Sequence, residues 1–164
     1  MNGFLGIYLR DQLALGVAWR ELARRSAGNN KGTEAGTALA RVATAIAEDV
    51  STFEKIMERL NIRPDRMKNI AVTVAERIGR FKPNGRLLSY SPLSRFEEIE
   101  FLIMGIEGKK QLWSTLRDLA GLGARLPDVD FDELIERAAA QRTELEPYRT
   151  NAGLEAFVTA SPDA

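Results

Sequence analysis

The longest uninterrupted helical pattern in this chain covers residues 93–121, and it constrains the fold more than any other stretch. When the stretch is projected at about 100° per residue, its apolar side chains fall on one broad face, and Glu97, Glu100 and Glu107 fall on the opposite side. The pattern therefore predicts a long amphipathic helix that packs into a core. The predicted apolar face comprises Phe96, Ile99, Leu102, Ile103, Ile106, Trp113, Leu116 and Ala120.

The same helical period recurs in three further stretches, which cover residues 3–27, residues 33–60 and the chain from residue 130 onward. Residues that favour helix N-termini precede the predicted helices: Thr33, Ser91 followed by Pro92, and the capping box Asp130-x-x-Glu133. No stretch shows the alternation of apolar and polar residues that is typical of a strand. We therefore predict an all-α fold.

A different stretch, residues 61–90, separates the second and third long helices and carries the pattern of one shorter helix behind Pro64. A helix of roughly 26 residues is about 40 Å long, which a connection of this length can cross. We therefore predict a ferritin-like four-helix bundle with a long crossover that carries a short extra helix. The alternative is an up-down-up-down bundle. The bundle domain is expected to cover residues 1–157, with a frayed tail at residues 158–164.

Three stretches also resemble an uncharacterised bacterial family of ferritin-like helical proteins: RDQLALGVAWRELARR (residues 10–25), AEDVSTFEKIMERL (residues 47–60) and SPLSRFEEIEFLIMGIEGKKQLWSTLRDLAG (residues 91–121). The resemblance implies the fold and not an activity, because no known catalytic motif lies in these stretches. Ferritin-like di-iron proteins use Glu-x-x-His motifs on two helices. This chain has no histidine, so both motifs are absent.

The composition narrows the chemistry further. Without histidine or cysteine, the chain lacks the usual general base, the thiol nucleophile, the disulfide and the commonest transition-metal ligands. The 23 basic and 23 acidic residues balance, so net charge indicates neither a nucleic-acid nor a membrane partner. The sequence shows neither a signal peptide nor a membrane span. We expect a cytoplasmic protein with no catalytic residues and no cofactor.

Charged residues nevertheless project into the predicted apolar faces. Asp11 does so on the first helix and Asp49 on the second, while Lys110 and Arg117 do so on the third and Arg142 on the last. Buried charges require partners of opposite sign, and the chain supplies both signs. We therefore predict a buried ion-pair layer at the bundle centre, where a relative would hold metal. One alternative is that the long basic side chains lie along the core while their charged ends reach solvent. The other is that the projected helix phases are wrong by one residue.

Two further features have open interpretations. Between residues 63 and 95 there are eight basic and two acidic residues, which favours either pairing within the domain or contact with an anionic partner. Gly105 and Gly108 weaken the central helix relative to alanine, which predicts close helix packing at both positions. The residues proposed for anion contact are Arg63, Arg66, Lys68, Arg77, Arg80, Lys82 and Arg86.

Three functions remain open from the sequence. The leading one is a non-catalytic interaction or structural protein, acting as a homo-oligomer or with a protein partner. The second is a ferritin-like protein that binds a hard cation through carboxylates alone, since such cations accept ligand sets made entirely of oxygen. The third is an anion- or nucleic-acid-binding module that uses residues 63–95, although thin aromatic interleaving makes nucleic acid the weaker partner.

Overall fold

The computed structural model describes residues 3–64 and 90–159. Within these ranges 86% of the residues are helical and none lies in a strand, which confirms the all-α prediction. None of the helices in these ranges combines the length and the apolar character needed to cross a bilayer.

Five α-helices form the described part of the chain. Helices α3 and α5 each continue into a short π-helical turn. The bounds are α1 at Gly3–Asn29, α2 at Glu34–Arg59, α3 at Pro92–Ser114 with its π-helical turn at Thr115–Leu119, α4 at Leu122–Arg125, and α5 at Phe131–Leu154 with its π-helical turn at Glu155–Thr159. Residues 158 and 159 thus still belong to a helical turn, which shortens the predicted tail. Residues 160–164 lie outside the described residues.

Side-chain caps begin three of the long helices where the sequence predicts them. Thr33 Oγ1 accepts a hydrogen bond from the Gly36 amide at 3.0 Å. Ser91 Oγ accepts from the Ser94 amide at 3.1 Å, and Asp130 Oδ1 accepts from the Glu133 amide at 2.9 Å. Each cap satisfies a backbone donor that the first helical turn leaves without an intrahelical partner.

The end of α2 carries a cap that the sequence analysis missed. Asn61 adopts a left-handed backbone conformation with φ of 55°. The Asn61 amide donates to the Glu58 carbonyl at 2.9 Å, and the Ile62 amide donates to the Met57 carbonyl at 2.9 Å. This pair of bonds is a Schellman motif, and asparagine tolerates the left-handed conformation better than most residues. The motif also returns Ile62 to the core, where it is buried.

The four long helices contact one another in a ring. Helix α1 contacts α2 and α3, and α5 contacts the same two helices. One apolar cluster joins the first half of α1 and the end of α2 to the end of α3 and the start of α5. The second cluster joins the end of α1 and the start of α2 to the start of α3 and the later part of α5.

These clusters determine the helix directions. The starts of α2 and α3 share one cluster and their ends share the other, so the two helices run in the same direction. Helices α1 and α5 run the opposite way. An up-down-up-down bundle would make α2 and α3 antiparallel, so the structure contradicts that alternative. The predicted extra helix falls on residues 65–89, which lie outside the described residues.

Candidate functional site

The described residues place one carboxylate deep in the helical core. Asp49 of α2 has only 2% of its surface exposed. Its Oδ2 accepts a hydrogen bond from Lys109 Nζ of α3 at 2.5 Å and another from Gln141 Nε2 of α5 at 3.0 Å. Gln141 Oε1 in turn accepts from Lys109 Nζ at 2.5 Å. The three side chains therefore form a closed ring of contacts that joins three helices.

A second cation approaches the same carboxylate. Arg137 Nη2 lies 3.2 Å from Asp49 Oδ1, and it also lies 2.9 Å from Glu48 Oε2. The approach to Asp49 is an ion pair without hydrogen-bond geometry, because Asp49 Oδ1 accepts no hydrogen bond among the described residues. With two carboxylates and two cations, the cluster has balanced charge. That balance is what a buried group of charges requires.

Lys109 is the cation of the buried pair. Burial lowers the pKa of its ammonium below the ordinary value of 10.5, and the Asp49 carboxylate opposes part of that change. An ammonium has three N–H donors, of which Asp49 and Gln141 take two. The third N–H has no partner among the described residues. Lys109 is thus held in place and keeps one donor for another group.

The structure corrects most of the predicted ion-pair layer. Of the five predicted residues, only Asp49 is buried, and its partner is Lys109 rather than Lys110. Lys110 is partly exposed. Adjacent residues of a helix point about 100° apart, so an error of one residue in the projected phase selects the wrong lysine.

Asp11 is exposed, and it does not belong to the buried cluster. The buried positions of α1 in this region are Gly6, Leu9 and Leu13. Asp11 lies two residues from both leucines, which turns it about 200° away from the core. Phe4 and Ile7 are likewise turned away from the core and are 81% and 53% exposed.

The two predicted arginines, Arg117 and Arg142, both lie at the surface and pair with acidic residues there. Arg117 pairs with Asp118 and Asp132, and it occupies the π-helical turn, whose wider winding changes the direction of side chains from that of an α-helix. Arg142 pairs with Glu107 at 3.3 Å, and its side chain is 44% exposed.

Gln141, the neighbour of Arg142, points into the core and was not among the predicted residues. Ala138, Gln141 and Leu145 are all buried and follow each other at helical spacings of three and four residues. A polar residue inside that stripe was the available signal. Arg137, which is one-third exposed, gave no such signal.

An apolar cavity adjoins the buried pair. It has a volume of about 440 Å³, lies between α1, α2 and α3, and includes Asp49 and Lys109 in its wall. Both tryptophans of the chain, Trp19 and Trp113, also line it. The remaining wall is mostly apolar side chains, together with glycines. The site therefore combines a buried ion pair with space for an apolar molecule.

A polar cluster of a different kind lies at the far end of the helices. Asn30 is 2% exposed; its Nδ2 donates to the Tyr90 hydroxyl at 2.9 Å, and its Oδ1 accepts from Arg95 Nε at 2.8 Å. The Tyr90 hydroxyl donates to Glu98 Oε2 at 3.0 Å. Burial and the neighbouring Glu98 carboxylate raise the pKa of Tyr90. These contacts fasten the start of α3 to the loop between α1 and α2.

Of the residues predicted for anion contact, Arg63 alone lies within the described residues. Arg66, Lys68, Arg77, Arg80, Lys82 and Arg86 lie outside the described residues. Arg63 is exposed, and its carbonyl accepts a hydrogen bond from Arg10 Nε at 3.0 Å. Arg95, at the end of the same basic stretch, pairs with Glu155 at 3.0 Å. Anion contact by this segment stays a prediction.

The described residues contain no group of three or more acidic, histidine or cysteine side chains arranged to hold a metal ion. No family model matches the chain, and neither a curated protein nor a solved structure shows significant similarity to it.

Proposed function

We propose that this protein is a non-catalytic, ferritin-like four-helix bundle that acts as an interaction or structural protein. In this proposal an ion pair occupies the bundle centre, where a ferritin-like relative would hold metal. The observation that carries the proposal is the contact of Asp49 with Lys109, because it places a fixed cation of the protein itself on a buried carboxylate.

The helix directions support the ferritin-like part of the proposal. Helices α2 and α3 run in parallel, and each contacts both α1 and α5. A bundle of four helices in which a single long connection joins the second to the third has this pattern of directions. The short helix α4 lies between α3 and α5 and does not alter the order of the four long helices.

The chemistry of the centre supports the non-catalytic part. A hard cation is held by carboxylate, carbonyl or water oxygens that have no competing cation. Asp49 is instead neutralised by Lys109 and Arg137 and is hydrogen-bonded by Gln141. The Lys109 ammonium donates two hydrogen bonds, to Asp49 and Gln141, and the Asp49 carboxylate opposes the lowering of the lysine's pKa by burial.

Exposed apolar side chains support the interaction part. Leu154, Phe157 and Val158, at the end of α5 and in its π-helical turn, are 55%, 63% and 73% exposed. The rings of Phe157 and Phe96 pack edge to face with centroids 5.1 Å apart. Neighbouring exposed apolar residues of this size are typical of a surface that another protein covers.

Metal analysis of the purified protein tests the proposal. The protein is incubated with Fe²⁺ and, separately, with Mn²⁺, then desalted and measured by elemental mass spectrometry. We expect far less than one metal ion per chain, because Lys109 already neutralises the only carboxylate that is buried among the described residues. Stoichiometric, tightly bound metal would overturn the proposal in favour of a carboxylate metal site.

The Lys109→Ser variant supplies a matched comparison, with Lys110→Ser as its control. Removing Lys109 frees the Asp49 carboxylate, whereas Lys110 makes no ion pair with Asp49. If a lysine stands in for a cation, only Lys109→Ser should be stabilised against heat by added divalent cations. Equal responses of the two variants would contradict the proposal that Lys109 replaces a metal.

A further inference from the structure

We propose that the cavity between α1, α2 and α3 binds a small, neutral and largely apolar molecule that carries one hydroxyl group, with the hydroxyl oxygen accepting a hydrogen bond from Lys109. This inference goes beyond the proposed function, and it rests on the cavity rather than on the absence of a metal site.

The size of the cavity suits a small molecule. Its volume of about 440 Å³ falls within the range of roughly 300–1,000 Å³ that ligand pockets occupy. An apolar cavity of about 150 Å³ is enough to hold benzene, so this one has room for roughly 15–20 non-hydrogen atoms. The wall offers apolar contacts from residues such as Leu13, Ile46, Phe53 and Met104. An unbranched or singly ringed apolar body fits that lining.

Missing side chains create the space. Gly16 of α1 and Gly108 of α3 both line the cavity. A Cβ atom at Gly16 would meet only Val50 Cγ2, at 3.5 Å, and one at Gly108 would meet nothing within 4 Å. Gly105 differs, because the Trp19 indole already occupies the room beside it, with the nearest ring atom 2.6 Å from a built Cβ. The Trp19 indole therefore fills the space beside Gly105, while the space beside the other two glycines is open.

The polar part of the wall selects the functional group. Lys109 keeps one N–H that has no partner among the described residues, whereas Asp49 Oδ1 is fully buried and lies 3.2 Å from Arg137 Nη2. A hydroxyl oxygen can accept a hydrogen bond from that N–H and brings no charge with it. Because Asp49 and Lys109, the two charged residues in the wall, already neutralise each other, a carboxylate would bring an unpaired negative charge into the cavity. The site thus favours an alcohol over an acid.

Tryptophan fluorescence provides the test, since the only two tryptophans of the chain line the cavity. The full chain is titrated with decanol, with decanoate and with a decanediol that carries a hydroxyl at each end. We expect a saturable change with decanol and at least about tenfold weaker binding of the other two, which bring a charge or a second hydroxyl into the site. Tighter binding of decanoate or the diol would overturn the proposal. So would the lack of a saturable change with any probe, since the cavity would then be filled from within the chain.

Two glycine substitutions in α1 locate the binding site. Gly16→Leu fills the cavity, whereas Gly28→Leu makes the same change where a built Cβ meets nothing within 4 Å and no cavity residue is touched. We expect the first to abolish the decanol response and the second to keep the affinity within about twofold. Equal binding by both variants would place the decanol elsewhere and overturn the proposal.

A folding control keeps the test decisive. Circular dichroism shows whether Gly16→Leu is folded; if it is not, Gly108→Leu takes its place as the filling variant, since that position also lines the cavity and meets no neighbour. Metal analysis and decanol titration give separate results. Bound metal would refute the proposed function without changing the decanol titration, and a failed titration would leave the metal result unchanged.

Discussion

Asp49 makes the strongest single-residue prediction, because it is a buried charge held by partners on two other helices. Asp49→Ala leaves Lys109 without its carboxylate, and we expect the free energy of unfolding to fall by about 3–5 kcal/mol. Urea denaturation followed by circular dichroism measures the loss. Asp128→Ala is the matched control, because it breaks the exposed Arg59–Asp128 pair and should cost much less stability than Asp49→Ala. Similar losses in both variants would contradict the assignment of a buried pair.

The pKa of Lys109 leads to a second prediction at the same scale. Burial lowers this pKa and the Asp49 carboxylate opposes the change, so Asp49→Asn should lower it further below the ordinary 10.5. Lys109 has the lowered pKa in the folded variant and the ordinary pKa in the unfolded variant. Between these two pH values the unfolded variant binds more protons than the folded one, so the free energy of unfolding of the variant rises with pH. We expect the stability difference between the native protein and Asp49→Asn to shrink from about pH 7 to about pH 9.5.

Urea unfolding at both pH values measures that difference. Asp128→Asn serves as the control, because the pKa of Asp128 is lowered by Arg59 and the group stays ionised over the whole range. Its difference from the native protein should not depend on pH. A constant difference for Asp49→Asn would show that Lys109 does not titrate in this window.

What the sequence could predict at this scale depended on the range of the interaction. The caps at Thr33, Ser91 and Asp130 were predicted correctly, because each bonds to a backbone amide three residues away. Lys109 was replaced by Lys110 in the prediction, because the apolar stripe defines the inward direction less sharply than the 100° between adjacent residues. The choice between the two lysines depends on where α2 places Asp49, which no local pattern contains.

At the scale of elements, Gly36 holds the turn between α1 and α2. A Cβ atom there would lie 1.9 Å from the Asn30 carbonyl oxygen and 2.6 Å from its carbon, and neither backbone atom can move without opening the turn. Gly36→Ala should therefore lower the free energy of unfolding by about 3 kcal/mol, the upper end for overpacking. Gly28→Ala is the control, since it meets no atom within 4 Å and should stabilise α1 by up to about 1 kcal/mol. The midpoints of thermal unfolding of the two variants test this prediction, and equal midpoints would contradict it.

The two glycines of α3, Gly105 and Gly108, also differ in whether there is room for a Cβ atom. Close packing was predicted at both, and it is found at Gly105, against Trp19, but not at Gly108. Gly105→Ala should cost about 1–3 kcal/mol through displacement of the indole, whereas Gly108→Ala should gain up to about 1 kcal/mol from helix propensity. Urea unfolding measures the stability of both variants, and a loss at Gly108 as large as that at Gly105 would be inconsistent with the packing. Sequence alone does not distinguish these glycines, because the difference lies in what the neighbouring helix presents.

For the whole molecule, the directions of the helices were easier to predict than the space between them. The length of the connection from residue 61 to residue 90 favoured parallel second and third helices, and α2 and α3 are parallel. The cavity was not predicted, because it depends on the separation of α1 from α3 and on the Trp19 indole beside Gly105. Such a space arises from the packing of several helices and leaves no periodic signal in any one of them.

The parallel direction of α2 and α3 can be measured in solution, because the chain has no cysteine and labels can be placed at will. Cysteines replace the exposed residues Lys55 near the end of α2, Thr37 near its start, and Gln111 near the end of α3. The two α2 positions lie about 27 Å apart along the helix. Spin labels are attached to these cysteines, and the distances between them are measured by pulsed electron paramagnetic resonance. The distance for Lys55–Gln111 should be clearly shorter than that for Thr37–Gln111, since the ends of both helices share one apolar cluster. The Thr37–Lys55 pair calibrates the length of α2, and the reverse order of the first two distances would show that the helices are antiparallel.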